Sequence, residues 1–134
     1  RTRKFAVLGF RAVGKSSLSH RFADGDFDEE YNPTIENTLT TQVNYKGQNY
    51  SVVVIDTAGQ DEYSIFPRHM AVGVHGYVIV YSVTSAKSLE VAKIIYEKLL
   101  DATGSTKVRV TSDNSDVEGV KTHDACRFRS CSLQ

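Results

Sequence analysis

The sequence has no tryptophan, one methionine, two prolines and two cysteines in 134 residues. Each scarcity excludes something. Two cysteines, Cys126 and Cys131, cannot make the multiply bridged framework of a small disulfide-stapled scaffold, and a single such pair makes a poor zinc site. Sixteen basic and sixteen acidic residues cancel to a formal net charge of +0, so no bulk charge draws the chain to nucleic acid. No run approaches the ~18 apolar residues of a spanning helix. What remains, 40% hydrophobic and 24% charged, is ordinary for a globular domain, and 134 residues suit one domain rather than two. A cytoplasmic setting is the expectation from this cysteine usage.

The most informative segment is Gly9-Phe10-Arg11-Ala12-Val13-Gly14-Lys15-Ser16, which fits G-x-x-x-x-G-K-[ST]. A short apolar run, Phe5 to Leu8, precedes it, and a helical pattern with Leu18 and Phe22 four residues apart follows. Strand, glycine-rich loop and helix in that order aim backbone N–H groups and a helix N-terminus at an anion, and Lys15 adds a full charge. Such a loop binds the phosphates of a nucleotide.

The remaining pattern reads β-α-β-β-(α)-β-α. Lys15 to Ala23 is the first helix. Thr38 to Tyr45 and Tyr50 to Ile55 form a hairpin around Lys46-Gly47-Gln48, and Gly76 to Val83 is a strand apolar enough for burial on both faces. Ser88 is the expected cap of a second helix running to about Asp101, with Val91, Ala92, Ile95 and Leu99 as its apolar stripe and Gly104 closing it. The class is α/β with a mostly parallel sheet. Two irregular segments, Asp24 to Asn37 and Asp56 to Pro67, are long enough to be functional loops.

Those loops carry the rest of the chemistry. Lys15 suits the β- and γ-phosphates, and the Ser16 hydroxyl suits Mg²⁺. Thr34, within Tyr31-Asn32-Pro33-Thr34-Ile35-Glu36-Asn37, can complete a metal shell when a γ-phosphate is present. Asp56-Thr57-Ala58-Gly59-Gln60 follows a strand. Asp56 suits an outer-shell Mg²⁺ contact, Gly59 a backbone N–H to the γ-phosphate, and Gln60 the orientation of a water.

With these three segments in this order, the chain resembles the Ras-type small GTPases and, within them, the Rheb group. GFRAVGKSS (9–17), YNPTIENT (31–38) and DTAGQDEYSIFP (56–67) carry the resemblance, which covers residues 3 to about 104. It implies the P-loop small-GTPase fold and a GTP/GDP switch with Mg²⁺. It places Arg11, Ala12, Val13, Gly14, Lys15, Ser16, Ser17, Asp28, Tyr31, Asn32, Thr34 and Gly59 at the nucleotide. Gln60, Thr34 and Gly59 would serve hydrolysis, and Ser16, Thr34 and Asp56 the metal. Tyr31, Pro33, Ile35, Glu36 and Asn37 would meet an effector. The implied partners are a GTPase-activating protein and the TOR kinase complex, at the cytosolic face of internal membranes.

Arg11 stands where fast-hydrolysing relatives have glycine, matches the Rheb group, and is expected to crowd Gln60 and slow hydrolysis. Asn32 stands where that group has Asp. Tyr63 and Phe66 either shape a partner surface or pack on the core. His20, His69 and His75 share no metal-ligand spacing and read as surface or packing residues, and His123 has no assigned role.

The resemblance fails in the last quarter. Asn-Lys-x-Asp, whose Asp reads the guanine edge, does not occur in the sequence, no Ser-Ala-Lys follows residue 106, and Asn114 and Asp116 have the wrong spacing. Hydrogen bonds to charged groups are worth ~1.5–3 kcal/mol, so losing two would weaken GTP binding by two to four orders of magnitude. The expectation is therefore a partial GTPase domain over 1–110, lacking the last two strands and helices, with a divergent unstructured tail at 111–134. The strand 76–83 would then be an exposed apolar edge. The ending Cys131-Ser132-Leu133-Gln134 fits C-a-a-X loosely and makes Cys131 a candidate for farnesylation, with Arg127 and Arg129 adding a little membrane attraction. The competing readings are a non-catalytic interaction fragment with a weak phosphate-only site and a P-loop kinase. The DTAGQ segment speaks against the kinase.

Overall fold

The computed structural model describes residues 1–24 and 35–104, together with the backbone of a strand at 108–112. Five strands form one sheet: β1 (Thr2–Gly9), β2 (Glu36–Tyr45), β3 (Gln48–Thr57), β4 (Gly76–Tyr81) and β5 (Val108–Ser112). Their order across the sheet is β2-β3-β1-β4-β5. Only the β2–β3 pair is antiparallel; β3, β1, β4 and β5 run parallel. Two helices, α1 (Lys15–Ala23) and α2 (Ala86–Thr103), cross over between strands. The sheet and helices agree with the α/β class and the partial P-loop fold that the resemblance implies.

The strand sequences alternate between two cores. Ala6 and Leu8 of β1 and Tyr77, Ile79 and Tyr81 of β4 face α2, where Val91, Ala92, Ile95 and Leu99 meet them. Val7, Val52, Val54 and Val80 turn to the opposite face with Val13. A strand buried on both sides needs no polar alternation, which is why these runs look continuously apolar. The α2 stripe is fully buried, as its spacing predicts, and each such aliphatic side chain contributes about 1.5–3 kcal/mol.

The hairpin turn is tighter than the four residues, 46–49, between the predicted strands. Lys46 (φ 50°) and Gly47 (φ 76°) alone make it, both left-handed as a two-residue turn between twisted strands requires.

The start of α2 lies three residues earlier than expected. Ser85, not Ser88, is the N-cap, and its side chain accepts from the Ser88 N–H at 3.2 Å. Ser88 is itself buried and donates its hydroxyl to the Ser85 carbonyl at 2.7 Å and the Ser82 carbonyl at 3.1 Å. Both serines satisfy backbone groups, but only Ser85 has the extended backbone of a cap. Gly104 closes the helix in a left-handed conformation, donating to the Leu100 carbonyl at 2.8 Å.

The edge expected at 76–83 is covered. β5 pairs with the whole of β4 beyond Gly76, from Tyr77 against Val108 to Tyr81 against Ser112. One of the two strands expected to be missing is therefore present. The run Val-Arg-Val-Thr-Ser is short and has two apolar residues in five, yet its β-branched residues suit a parallel partner. Asn114 and Asp116 follow this strand but lie outside the described residues. No helix among the described residues is long and apolar enough to cross a membrane.

Candidate functional site

At the carboxyl end of β1 the chain passes close to β4. A Cβ on Gly9 (φ 152°) would stand 2.3 Å from the Val80 carbonyl oxygen, so no side chain fits there. The loop then turns through Ala12, whose φ of 56° is unusual for a residue with a side chain, to the left-handed Gly14 that N-caps α1. No side chain caps this helix. Its first N–H groups and the positive end of its dipole thus face the loop, an arrangement that favours an anion.

Lys15 lies in this loop with only 6% of its surface exposed. Its Nζ donates to the Phe10 carbonyl at 2.8 Å, spanning the loop from one end to the other. Burial pulls its pKa down to about 8, and the Asp56 carboxylate opposes that shift. A buried ammonium is poorly solvated and gains most from an arriving anion.

Ser16 and Asp56 complete the floor. The Ser16 hydroxyl donates to Asp56 Oδ2 at 2.5 Å, while Asp56 Oδ1 is buried with no hydrogen-bond partner. Burial raises the Asp56 carboxyl pKa, against the Ser16 hydrogen bond and the charges of Lys15 and His20. An orphaned buried oxygen is costly unless something positive meets it. The donor set is one carboxylate and one hydroxyl, and no group of three or more His, Cys, Asp or Glu gathers among the described residues. That set suits a hard cation that keeps its waters and leans on phosphates, as Mg²⁺ does, and it does not suit zinc. Thr57 locks Asp56 in place by donating its hydroxyl to the Val7 carbonyl at 2.7 Å.

Arg11 and Gly59 touch. A Cβ on Gly59 would lie 2.6 Å from Arg11 Cα and 2.9 Å from its nitrogen. The Gln60 N–H donates to the Gly9 carbonyl at 2.9 Å, which holds Gln60 against the loop that carries Arg11. The Arg11 guanidinium lies 5.4 Å from the Phe10 ring centroid, and the residue is exposed. Crowding of this corner by Arg11 is thus a backbone contact as well as a side-chain one. The stretch 35–36 reaches the same corner, since the Ala58 N–H donates to the Ile35 carbonyl at 3.0 Å and His69 Nε2 lies 3.3 Å from Glu36 Oε2.

The structure gathers Arg11, Ala12, Val13, Gly14, Lys15, Ser16, Ser17, Asp56, Gly59 and Gln60 at one end of the sheet. Asp28, Tyr31, Asn32, Pro33, Thr34 and Cys131 lie outside the described residues. Tyr63 and Phe66 part company. Phe66 is buried edge-on against Tyr77, with centroids 6.4 Å apart, while Tyr63 is 85% exposed. Leu18 and Phe22, which marked α1 in the sequence, are about half exposed; the helix buries Lys15 and Ser19 instead. The helix docks by the face that carries the loop. The histidines hold surface contacts, His20 at 3.4 Å from Asp24, and His75 exchanging two hydrogen bonds with the Lys4 backbone.

Two residues near the site escaped sequence reasoning. Lys98 of α2 donates to the Glu62 carbonyl at 2.9 Å and to the Ser64 carbonyl at 2.6 Å. Lys87, about three turns earlier on the same helix face, pairs with the Glu62 carboxylate at 2.7 Å, which lowers the Glu62 pKa and raises its own. No motif marks either lysine.

The sequence model of the Ras family matches residues 4–130. The chain belongs to the Ras family. It is 52% identical over 110 residues to the GTP-binding protein Rheb of Homo sapiens, an alignment covering 82% of this chain and 60% of that protein. It is 58% identical over 108 residues to the Rheb homolog of Drosophila melanogaster, covering 81% and 59%. The GTP-binding protein rhb1 of Schizosaccharomyces pombe is 48% identical over 119 residues, covering 87% and 64%. The chain thus spans about 60% of the length of the curated relatives it matches.

Proposed function

We propose that this Ras-family chain is a Mg²⁺-dependent GTP/GDP switch with slow GTP hydrolysis. The observation that carries the reading is the trio of buried Lys15, half-buried Ser16 and buried Asp56, with one carboxylate oxygen unpartnered beside a hydroxyl and an ammonium. Lys15 and the N–H groups around Gly14 would hold the β- and γ-phosphates. Ser16 and Asp56 would hold Mg²⁺, Asp56 through its water, and Thr34 would join them in the triphosphate state. The metal would draw charge off the phosphate oxygens. Gly59 would donate its N–H to the γ-phosphate, and Gln60 would orient the attacking water. Residues 31–37 would meet an effector, for which the resemblance to the Rheb group supports the TOR kinase complex. The same resemblance supports a GTPase-activating protein, farnesylation at Cys131 and a place on the cytosolic face of internal membranes.

The slow step follows from Arg11. Its side chain starts against Gly59, where a Cβ on the glycine would lie 2.7 Å from Arg11 Cβ, and would crowd Gln60 beside it. Single-turnover hydrolysis tests the reading: Arg11→Gly should raise the intrinsic rate by about three- to tenfold, roughly 0.7–1.4 kcal/mol of barrier. An unchanged or lower rate contradicts it.

The pH dependence of GDP affinity follows from Lys15. The bound diphosphate favours the ammonium, so binding takes up a proton wherever free Lys15 is neutral, above pH about 8. Affinity should be flat from pH 6.5 to 7.5 and fall by up to about tenfold per unit above 8. Calorimetry in two buffers of different ionisation enthalpy should show proton uptake at pH 9 and little at pH 7.

One observation favours a second reading. Asn-Lys-x-Asp does not occur in the sequence, so a weak, phosphate-only site in an interaction fragment would show no preference among nucleotide bases.

A further inference from the structure

Gln60 is held from one side by the Gly9 carbonyl. From Ala58 to Pro67 the chain has neither helix nor strand to hold it from the other. What it has is a small self-bonded turn. The Asp61 N–H donates to Ser64 Oγ at 3.0 Å, and Asp61 Oδ1 accepts from the Tyr63 N–H at 3.0 Å and the Ser64 hydroxyl at 2.9 Å. This turn uses up its N–H groups internally but leaves the Glu62 and Ser64 carbonyls pointing out. Both are taken by one ammonium, Lys98 Nζ, and the Glu62 carboxylate is taken by Lys87. The two lysines lie eleven residues apart on α2, so they grip the turn at two heights along the helix.

We propose that Lys98 is a positioning residue for Gln60, seating the 61–64 turn on α2 so that Gln60 is stretched between two fixed points. The proposal rests on the hydrolytic role given to Gln60 above. A water-orienting side chain works only if its backbone is fixed, because each small displacement removes the near-attack geometry. Lys98 can supply that from a distance because a single ammonium offers three donors to carbonyls that otherwise face solvent. Lys87 adds an exposed ion pair, which is worth less. Lys98 belongs neither to the phosphate loop nor to the Ser16–Asp56 pair. Its effect passes through the turn.

The test uses Lys98→Met, Lys98→Arg and Lys87→Ala in the full chain. Lys98→Met should slow single-turnover GTP hydrolysis by about three- to tenfold, while GDP affinity stays within twofold. Hydrogen exchange in the nucleotide-free chain should speed up at the Gln60, Asp61, Tyr63 and Ser64 amides and nowhere in α2 or β1. Lys98→Arg should restore part of both, and Lys87→Ala should give a smaller change of the same kind. Unchanged exchange at those four amides overturns the seating of the turn. An unchanged or faster hydrolysis rate, or affinity and rate falling together, overturns the positioning role. If the wild type binds but does not hydrolyse GTP, the hydrolytic reading and the positioning role fall together. The exchange data then still decide whether Lys98 holds the turn.

Discussion

Lys15→Met should reduce GTP and GDP affinity by about 10²–10⁴-fold and, at the same time, raise the stability of the empty chain. The two signs are opposite for one physical reason. The ammonium is buried and its pKa is pulled down to about 8, so at pH 7 the fold carries a charge it holds at a cost. Methionine keeps most of the apolar stem and removes that cost, although the Phe10 carbonyl loses its 2.8 Å partner. The net gain should be about 1–3 kcal/mol in chemical unfolding without nucleotide. With nucleotide, two charge-assisted hydrogen bonds of about 1.5–3 kcal/mol each are lost, which gives the range of affinity quoted. The stability gain belongs to the window below pH 8, where Lys15 is charged, and should vanish as pH rises towards 10.5. A variant that lost both affinity and stability would show that Lys15 is a structural residue, not a phosphate ligand.

Gly9→Ala should be the most damaging single methyl in the molecule. The added Cβ would lie 2.3 Å from the Val80 carbonyl oxygen and 3.2 Å from its carbon, atoms of the backbone that cannot swing away. At φ 152° the alanine is also strained on its own account. Either β4 moves off β1 or the strand end unravels, and both routes disturb the start of the phosphate loop. A loss of about 3–5 kcal/mol is expected, a large part of the 5–15 kcal/mol that a domain commands. Thermal unfolding should fall by more than about 10 °C. Gly73→Ala is the comparison: its φ is 74° but nothing lies within 4 Å, so it should cost only about 1 kcal/mol. Equal effects at the two positions would show that backbone conformation, and not contact with β4, governs Gly9.

The phosphate loop was legible because its pattern is local. Gly9, Gly14, Lys15 and Ser16 are fixed by spacing, and the strand before and helix after them follow from short-range periodicity. The α2 stripe was legible for the same reason. Ser16 and Asp56 are forty residues apart, and only the order of motifs along the chain suggested that they meet. Their 2.5 Å contact needed the parallel pairing of β1 with β3. β5 was missed because a five-residue parallel strand draws its support from β4, not from its own composition. Leu18 and Phe22 misled for the converse reason: helical spacing shows that a face exists, not which way it points. Lys98 left no trace at all, since a lysine on a helix is ordinary until the turn it holds, more than thirty residues earlier, folds back onto it.

The most direct test of the central claim is a titration of the purified chain with fluorescent GDP, GTP and ATP, in Mg²⁺ and again with the metal chelated. A guanine-nucleotide switch predicts GDP and GTP binding tighter than micromolar, at least tenfold tighter than ATP, and weakened when Mg²⁺ is removed. Equal weak binding of all three nucleotides, or no binding, would contradict it.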